Sequence, residues 1–156
     1  MWLSLIGIVL FSIIIFYQDF KERLISLWAV IGFITCSFIN YLVQYSIYQF
    51  LENAFICLIY FVVCYLILTL YFYLKTKKIE KLLDTKIGWG DVLVLFSIGC
   101  TMPFPEMIYF FTISFVLSLI GSFVTNKKDP SIPLAGVSVV LYAFYILFNE
   151  MVIYFN

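Results

Sequence analysis

The sequence contains no histidine, and only 12% of its 156 residues are charged. Histidine is therefore excluded as a general base and as a metal ligand. A soluble domain usually carries about 25% charged and about 45–50% apolar residues, whereas this chain is 65% apolar and 21% aromatic. The shortage of charge excludes a soluble enzyme, a nucleic-acid-binding module and a disordered tail. It predicts an integral membrane protein whose main partner is the lipid bilayer, with no nucleic acid bound.

Cysteine is also scarce, and its spacing excludes two further kinds of site. The four cysteines all lie inside apolar runs, and no pair has C-x-x-C spacing: Cys36, Cys57, Cys64 and Cys100. A zinc site or a redox pair would be expected to show that spacing, so the sequence suggests neither. Buried cysteines that pack as small apolar residues are the simpler interpretation. No metal ion and no cofactor is expected.

Long apolar runs make up most of the chain. They cover residues 2–18, 24–44, 53–74, 107–125 and 132–148, and a further run begins near residue 87 and ends at Pro103 and Pro105. Each run is close to the roughly 20 residues that cross a bilayer as a helix. The fold class predicted is therefore all-α, with six transmembrane helices. No linker or repeat interrupts the chain, and residues 1–156 are expected to form one membrane domain.

The basic residues predict how these helices are oriented. All nine fall in the first, third and fifth connections: Lys21, Arg23, Lys75, Lys77, Lys78, Lys81, Lys86, Lys127 and Lys128. Six spans place those three connections on one side, which the positive-inside rule makes cytoplasmic. Both termini are then expected to face outward, in a multi-pass protein of the cell membrane.

Two acidic residues are candidates for chemistry because acids within membrane spans are costly and usually functional. Asp19 ends the first apolar run, and Asp91 follows Gly88, Trp89 and Gly90 at the start of the fourth. Both are expected on the cytoplasmic side at similar depth. Two adjacent carboxyl groups cannot both ionise, so such a pair can activate a water molecule against a peptide carbonyl. Gly88 and Gly90 are expected to give the preceding turn a positive φ.

Each aspartate also has an ordinary structural interpretation. Asp19 can be a solvated residue at the membrane boundary, near Lys21 and Arg23. Asp91 can be the N-cap of the fourth helix, after a glycine turn. The shared side and depth of the two residues favour the functional interpretation.

Three segments resemble motifs of the type IV prepilin peptidases and the archaeal preflagellin peptidases. D-F-K-E-R-L-I at 19–25 resembles the segment after their first helix, and G-W-G-D-V at 88–92 resembles their GxGD motif. I-P-L-A-G at 132–136 is similar to the opening of their last helix. The family usually has Pro-Asn where this chain has Ser26-Leu27, and lysine where it has Leu93. It also has a second proline in the last motif, which is missing here, with Gly136 or Val137 near its place.

The resemblance implies a membrane aspartic endopeptidase that removes the short basic leader of prepilin-like substrates at the cytoplasmic face. It implies that Asp19 and Asp91 are the catalytic pair, and that Gly88, Gly90 and Arg23 belong to the active-site loop or the substrate contact. Bifunctional members of the family carry a cysteine-containing insertion after the first helix, which is missing here. The sequence therefore predicts proteolysis without methyl transfer.

Two alternatives from other functional classes are also compatible with the sequence. One is a non-catalytic membrane subunit for assembly or transport, although few polar residues occur in the middle of the spans. The other is a degenerate peptidase that binds leaders without cutting them. The sequence does not identify the substrate, the bacterial or archaeal host, or the oligomeric state.

Overall fold

A computed structural model of the chain describes residues 2–22, 24–77, 88–125 and 134–155. Within these ranges the backbone forms six α-helices and no strand. The helices are α1 (Trp2–Lys21), α2 (Leu27–Gln44), α3 (Ile47–Thr76), α4 (Trp89–Cys100), α5 (Phe104–Thr125) and α6 (Leu134–Phe155). The all-α prediction is confirmed.

Five of the six described helices are long and apolar enough to cross a membrane, which confirms a polytopic membrane protein. The helix α4 is the exception, since it has 12 residues. At 1.5 Å per residue it is about 18 Å long, well short of the roughly 30 Å of hydrocarbon. The fourth helix is thus shorter than predicted, because it ends at Cys100, before Pro103, and α5 begins at Phe104.

The third helix is longer than predicted and begins earlier. Its 30 residues start at Ile47, whereas the apolar run suggested residue 53. The reason is a capping box: the Ser46 hydroxyl accepts from the Gln49 backbone N–H at 3.3 Å, and the Ser46 backbone N–H donates to the Gln49 side chain at 3.1 Å. These bonds satisfy donors that a helix start leaves unpaired. The turn between α2 and α3 is therefore only Tyr45 and Ser46.

The helices pack around α1, α4 and α6. α1 lies against α2 and α6, α4 contacts α2, α3 and α6, and α5 packs on α6 and α3. Most large side chains of α3 are exposed, as expected for a helix that faces lipid. The buried core includes Ile15 of α1, Phe33 of α2, Val94 and Ile98 of α4, and Tyr142 of α6.

Chain direction gives the bundle two distinct ends. At one end α1 finishes and α4 and α6 begin, with Asp19 and Asp91 nearby; we call this the aspartate end. At the other, α2 and α6 finish and α5 begins, with Glu106 and Glu150 nearby; we call this the glutamate end. The alternation of helix directions matches the order of the predicted spans.

Candidate active site

The side chain of Asp19 is buried in the last turn of α1. It is only 6% exposed, and its Oδ2 accepts a hydrogen bond from the backbone N–H of Gly136 at 2.7 Å. The Lys21 ammonium donates to the Tyr17 hydroxyl at 2.7 Å and does not hold the Asp19 carboxylate at the surface. The interpretation of Asp19 as a solvated boundary residue therefore does not hold.

Asp91 lies in the first turn of α4, three residues after the N-cap. The N-cap is Gly88, with φ −71° and ψ 139°, so Asp91 itself is not the cap. Its Oδ1 accepts from the backbone N–H of Ala135 at 2.9 Å, and its carboxylate also accepts from the Gly88 backbone N–H. Two backbone donors from different segments thus orient this side chain.

The two carboxylates meet at the N-terminus of α6. Their donors, Ala135 and Gly136, are consecutive residues in the first turn of that helix. The first N–H groups of a helix have no partner within it and carry its positive dipole end, so they suit carboxylate acceptors. Asp19 also acts electrostatically on Asp91. The structure therefore brings the two predicted aspartates together at the start of α6.

The glycines on either side of Trp89 have a different role from the one expected. No glycine in the described ranges has a positive φ, so the expectation of positive φ at Gly88 and Gly90 is wrong. Gly88 is an extended N-cap, and Gly90 lies within the helix. What Gly88 provides is space: a Cβ there would lie 3.1 Å from Asp91 Oδ2, whereas a Cβ on Gly90 would meet Ile25 Cδ1 at 3.4 Å.

Arg23, the third residue predicted for the loop, lies outside the described residues. Before it, Glu22 follows α1, and after it the Ser26 backbone N–H donates to the Gln18 side chain at 3.0 Å. Ser26, the residue before α2, is thus held close to the end of α1.

Sequence reasoning missed two residues that contact the aspartates, Ala135 and Gly136. Both lie in the I-P-L-A-G segment that resembles the opening of the family's last helix. The resemblance marked this segment, but it did not indicate that these two residues bind the aspartates. Their contacts join Gly136 to Asp19 across 117 positions. Backbone donors have no side-chain signature, so no sequence motif identifies them directly.

The glutamate end contains a different acidic region. A cavity of about 790 Å³ opens there, lined by Glu52, Glu106 and Glu150 among other residues. The Gln44 side-chain amide donates to Glu150, and the Tyr145 hydroxyl donates to Glu106. Across the described part of the chain, no group of three or more cysteine or acidic side chains is arranged to hold a metal ion.

Comparison with known proteins identifies the family. A model of the type IV leader peptidase family matches residues 6–123, well over half of the chain. No curated protein and no solved structure matches it. The matched range includes both aspartates and ends before α6, so it does not include the helix that binds them. This match confirms the resemblance seen in the motifs and implies a peptidase: the chain belongs to the type IV leader peptidase family.

Proposed function

We propose that this protein is a membrane aspartic endopeptidase that removes the short basic leader of type IV prepilin-like precursors at the cytoplasmic membrane face, without N-methyltransferase activity. One observation carries the proposal: Asp19 and Asp91 converge on consecutive backbone amides of α6. The family of the chain supplies the reaction class.

Two carboxyl groups in one pocket can share the acid and base roles of peptide hydrolysis. Because adjacent negative charges oppose each other, one group keeps a proton while the other is ionised. The ionised group removes a proton from water, and the water oxygen attacks the scissile carbonyl carbon. The protonated group donates to the carbonyl oxygen. When the tetrahedral intermediate collapses, the C–N bond breaks and the carboxyl group that took the proton from water gives it to the departing amine. The other carboxylate recovers its proton from a hydroxyl of the intermediate, so both groups return to their starting states.

The amides of α6 hold the pair ready for this reaction. Each N–H donates to one carboxylate oxygen, which fixes the direction of that carboxylate before substrate arrives. Donors fixed in a helix need no reorganisation during the reaction, which is the main advantage of a preorganised site. Asp19 is buried, which limits the access of bulk water to that carboxylate.

The charges at the two ends of the bundle support the proposed orientation in the membrane. Lys21 and Lys77, at the ends of α1 and α3, lie at the aspartate end, and no lysine or arginine lines the cavity at the glutamate end. The positive-inside rule then favours a cytoplasmic aspartate end. Glu22, in the turn after α1, supplies an acid there for contact with a basic leader.

The short connection between α1 and α2 supports proteolysis without methyl transfer. Only residues 22–26 join the two helices, which leaves no room for the cysteine-containing insertion of bifunctional members of the family.

Cleavage of a leader tests the proposal directly. The protein is co-expressed with a precursor that carries a short basic leader followed by an apolar helix, and the precursor mass is measured. We expect loss of the leader mass with the wild type and an intact precursor with Asp19→Asn or Asp91→Asn. An intact precursor that co-purifies with correctly inserted wild-type protein contradicts the proposal and favours a binding protein.

A further inference from the structure

We propose that Gly136 is a positioning residue of the active site, required so that α6 can approach α1 and hold Asp19 next to Asp91. This inference rests on the proposed function, but it concerns a residue outside the segment that the family model matches. Because Gly136 has no side chain, the first turn of α6 can pack closely against α1.

Gly136 lies close against α1, and the three atoms nearest to a Cβ at this position all belong to that helix. A Cβ at this position would lie 2.9 Å from Asp19 Oδ2, 3.1 Å from Asp19 Cβ and 3.3 Å from the Phe16 Cα. The carboxylate oxygen can rotate away, but the other two atoms are fixed to the backbone of α1. A methyl group at 136 therefore turns the carboxylate, separates the two helices, or does both.

Either response affects the same hydrogen bond. The atom that would be displaced, Asp19 Oδ2, is the one that accepts from the Gly136 N–H at 2.7 Å. Ala135 continues to hold Asp91 through its own N–H at 2.9 Å. A substitution at 136 is thus expected to move one carboxylate of the pair while the other stays in place.

Other glycines in the chain provide matched controls. A Cβ on Gly121 of α5 would meet the Phe20 ring at 3.8 Å, an ordinary contact beside the neighbour of Asp19. A Cβ on Gly7 would lie 2.5 Å from Cys36 Sγ, between α1 and α2 and far along α1 from Asp19. Gly121→Ala therefore tests for a general effect of alanine near α1, and Gly7→Ala tests for a general effect of crowded helix packing.

The first measurement is steady-state cleavage of the same leader-bearing precursor by full-length protein in proteoliposomes. For Gly136→Ala we expect kcat to fall about 100-fold, as for a misplacement of about 1 Å in a reacting group, with KM changed by less than about two-fold. Gly121→Ala is expected to match the wild type, and Gly7→Ala to lose folded protein but keep its kcat per folded molecule. Wild-type kcat in Gly136→Ala, or an equal loss in Gly7→Ala, overturns the proposal.

The second measurement does not depend on cleavage. Infrared difference spectra on hydrogen–deuterium exchange report the carboxyl bands, and Asp19→Asn and Asp91→Asn assign those of the pair. We expect Gly136→Ala to shift the Asp19 band and Gly121→Ala to leave it in place. An unshifted band overturns the role of Gly136. If the wild type does not cleave the precursor, the proposed function fails, and the infrared band alone decides the role of Gly136.

Discussion

Carboxylates occur at both ends of the helix bundle, but the two ends hold them with different groups. At the aspartate end the donors to Asp19 and Asp91 include two consecutive backbone amides of α6. At the glutamate end the donors are side chains, from Gln44 to Glu150 and from Tyr145 to Glu106. A backbone donor keeps its direction, whereas a side-chain donor can change rotamer.

The surroundings of the acids differ as well. Asp19 is 6% exposed and is crowded by the first turn of α6, whereas the glutamates border a cavity of about 790 Å³. Such a cavity is large enough for many water molecules. The two ends thus show that backbone packing confines a carboxyl group at one end of the bundle and leaves carboxyl groups beside a cavity at the other.

The largest expected effect on cleavage separates two single variants, each of which neutralises one acid at one end of the bundle. Asp91→Asn should lower leader cleavage by about 10⁴-fold, the upper range for loss of an acid or base catalyst. Glu106→Gln should change cleavage by less than about two-fold, because its partner Tyr145 belongs to a solvated region. Initial rates with purified protein in proteoliposomes measure both. If the two variants lose activity equally, the distinction between the ends disappears.

The next effect concerns the backbone donor itself. Ala135→Pro removes the N–H that bonds Asp91. Proline suits the first residue of a helix best, and Ala135 is the second residue of α6 and is fully buried, so kcat is measured per folded molecule. Loss of a hydrogen bond to a charged group is worth about 1.5–3 kcal/mol, so kcat should fall between about 10-fold and 150-fold.

Tyr48→Pro is the control for that change. It places proline at the same second position of α3, at an exposed residue of the glutamate end. Its kcat should remain that of the wild type. Equal losses in the two variants would mean that proline acts by disturbing a helix start and not by removing the donor.

A smaller effect compares the two glycines before Asp91. Gly88→Ala introduces a Cβ 3.1 Å from Asp91 Oδ2, whereas Gly90→Ala places one 3.4 Å from the flexible end of Ile25. A contact of 3.1 Å forces a shift of a few tenths of an ångström, so we expect kcat to fall about 10-fold for Gly88→Ala and less for Gly90→Ala. Cleavage rates at saturating precursor distinguish them. A greater loss of kcat in Gly90→Ala than in Gly88→Ala would contradict the idea that space beside the Asp91 carboxylate limits the reaction.

The smallest expected effect concerns a pair of hydroxyl groups that line the cavity, and it changes only the free energy of unfolding. The hydroxyls of Thr101 and Tyr142 are 2.7 Å apart, and Tyr142 is buried. A double-mutant cycle with Thr101→Val and Tyr142→Phe should give a coupling energy of about 1 kcal/mol, with cleavage unchanged. Denaturant unfolding in micelles measures it. A loss of cleavage would show that the glutamate end influences the site.

Much of the fold could be predicted because lipid imposes one solution on an apolar run. The missing details are local. The start of α3 depends on a capping box that overrides the apolar pattern, and the short α4 depends on a turn before Pro103 that composition alone does not reveal.

The candidate site likewise contains residues that the sequence could identify and residues that it could not. Asp19 and Asp91 were identifiable because an acid beside an apolar run is unusual. Ala135 and Gly136 were not, because their contribution is a pair of N–H groups that every residue except proline possesses. Only the packing of α6 on α1 shows which two amides matter, and why one of the positions needs glycine.

The position of these donors in α6 has a consequence for biosynthesis. A ribosome makes α6 after the other five helices, so both aspartates enter the membrane before their amide partners exist. Under the proposed function, a nascent protein cannot cut anything until its sixth helix has joined the other five. The timing of proteolytic competence is thereby tied to the completion of assembly.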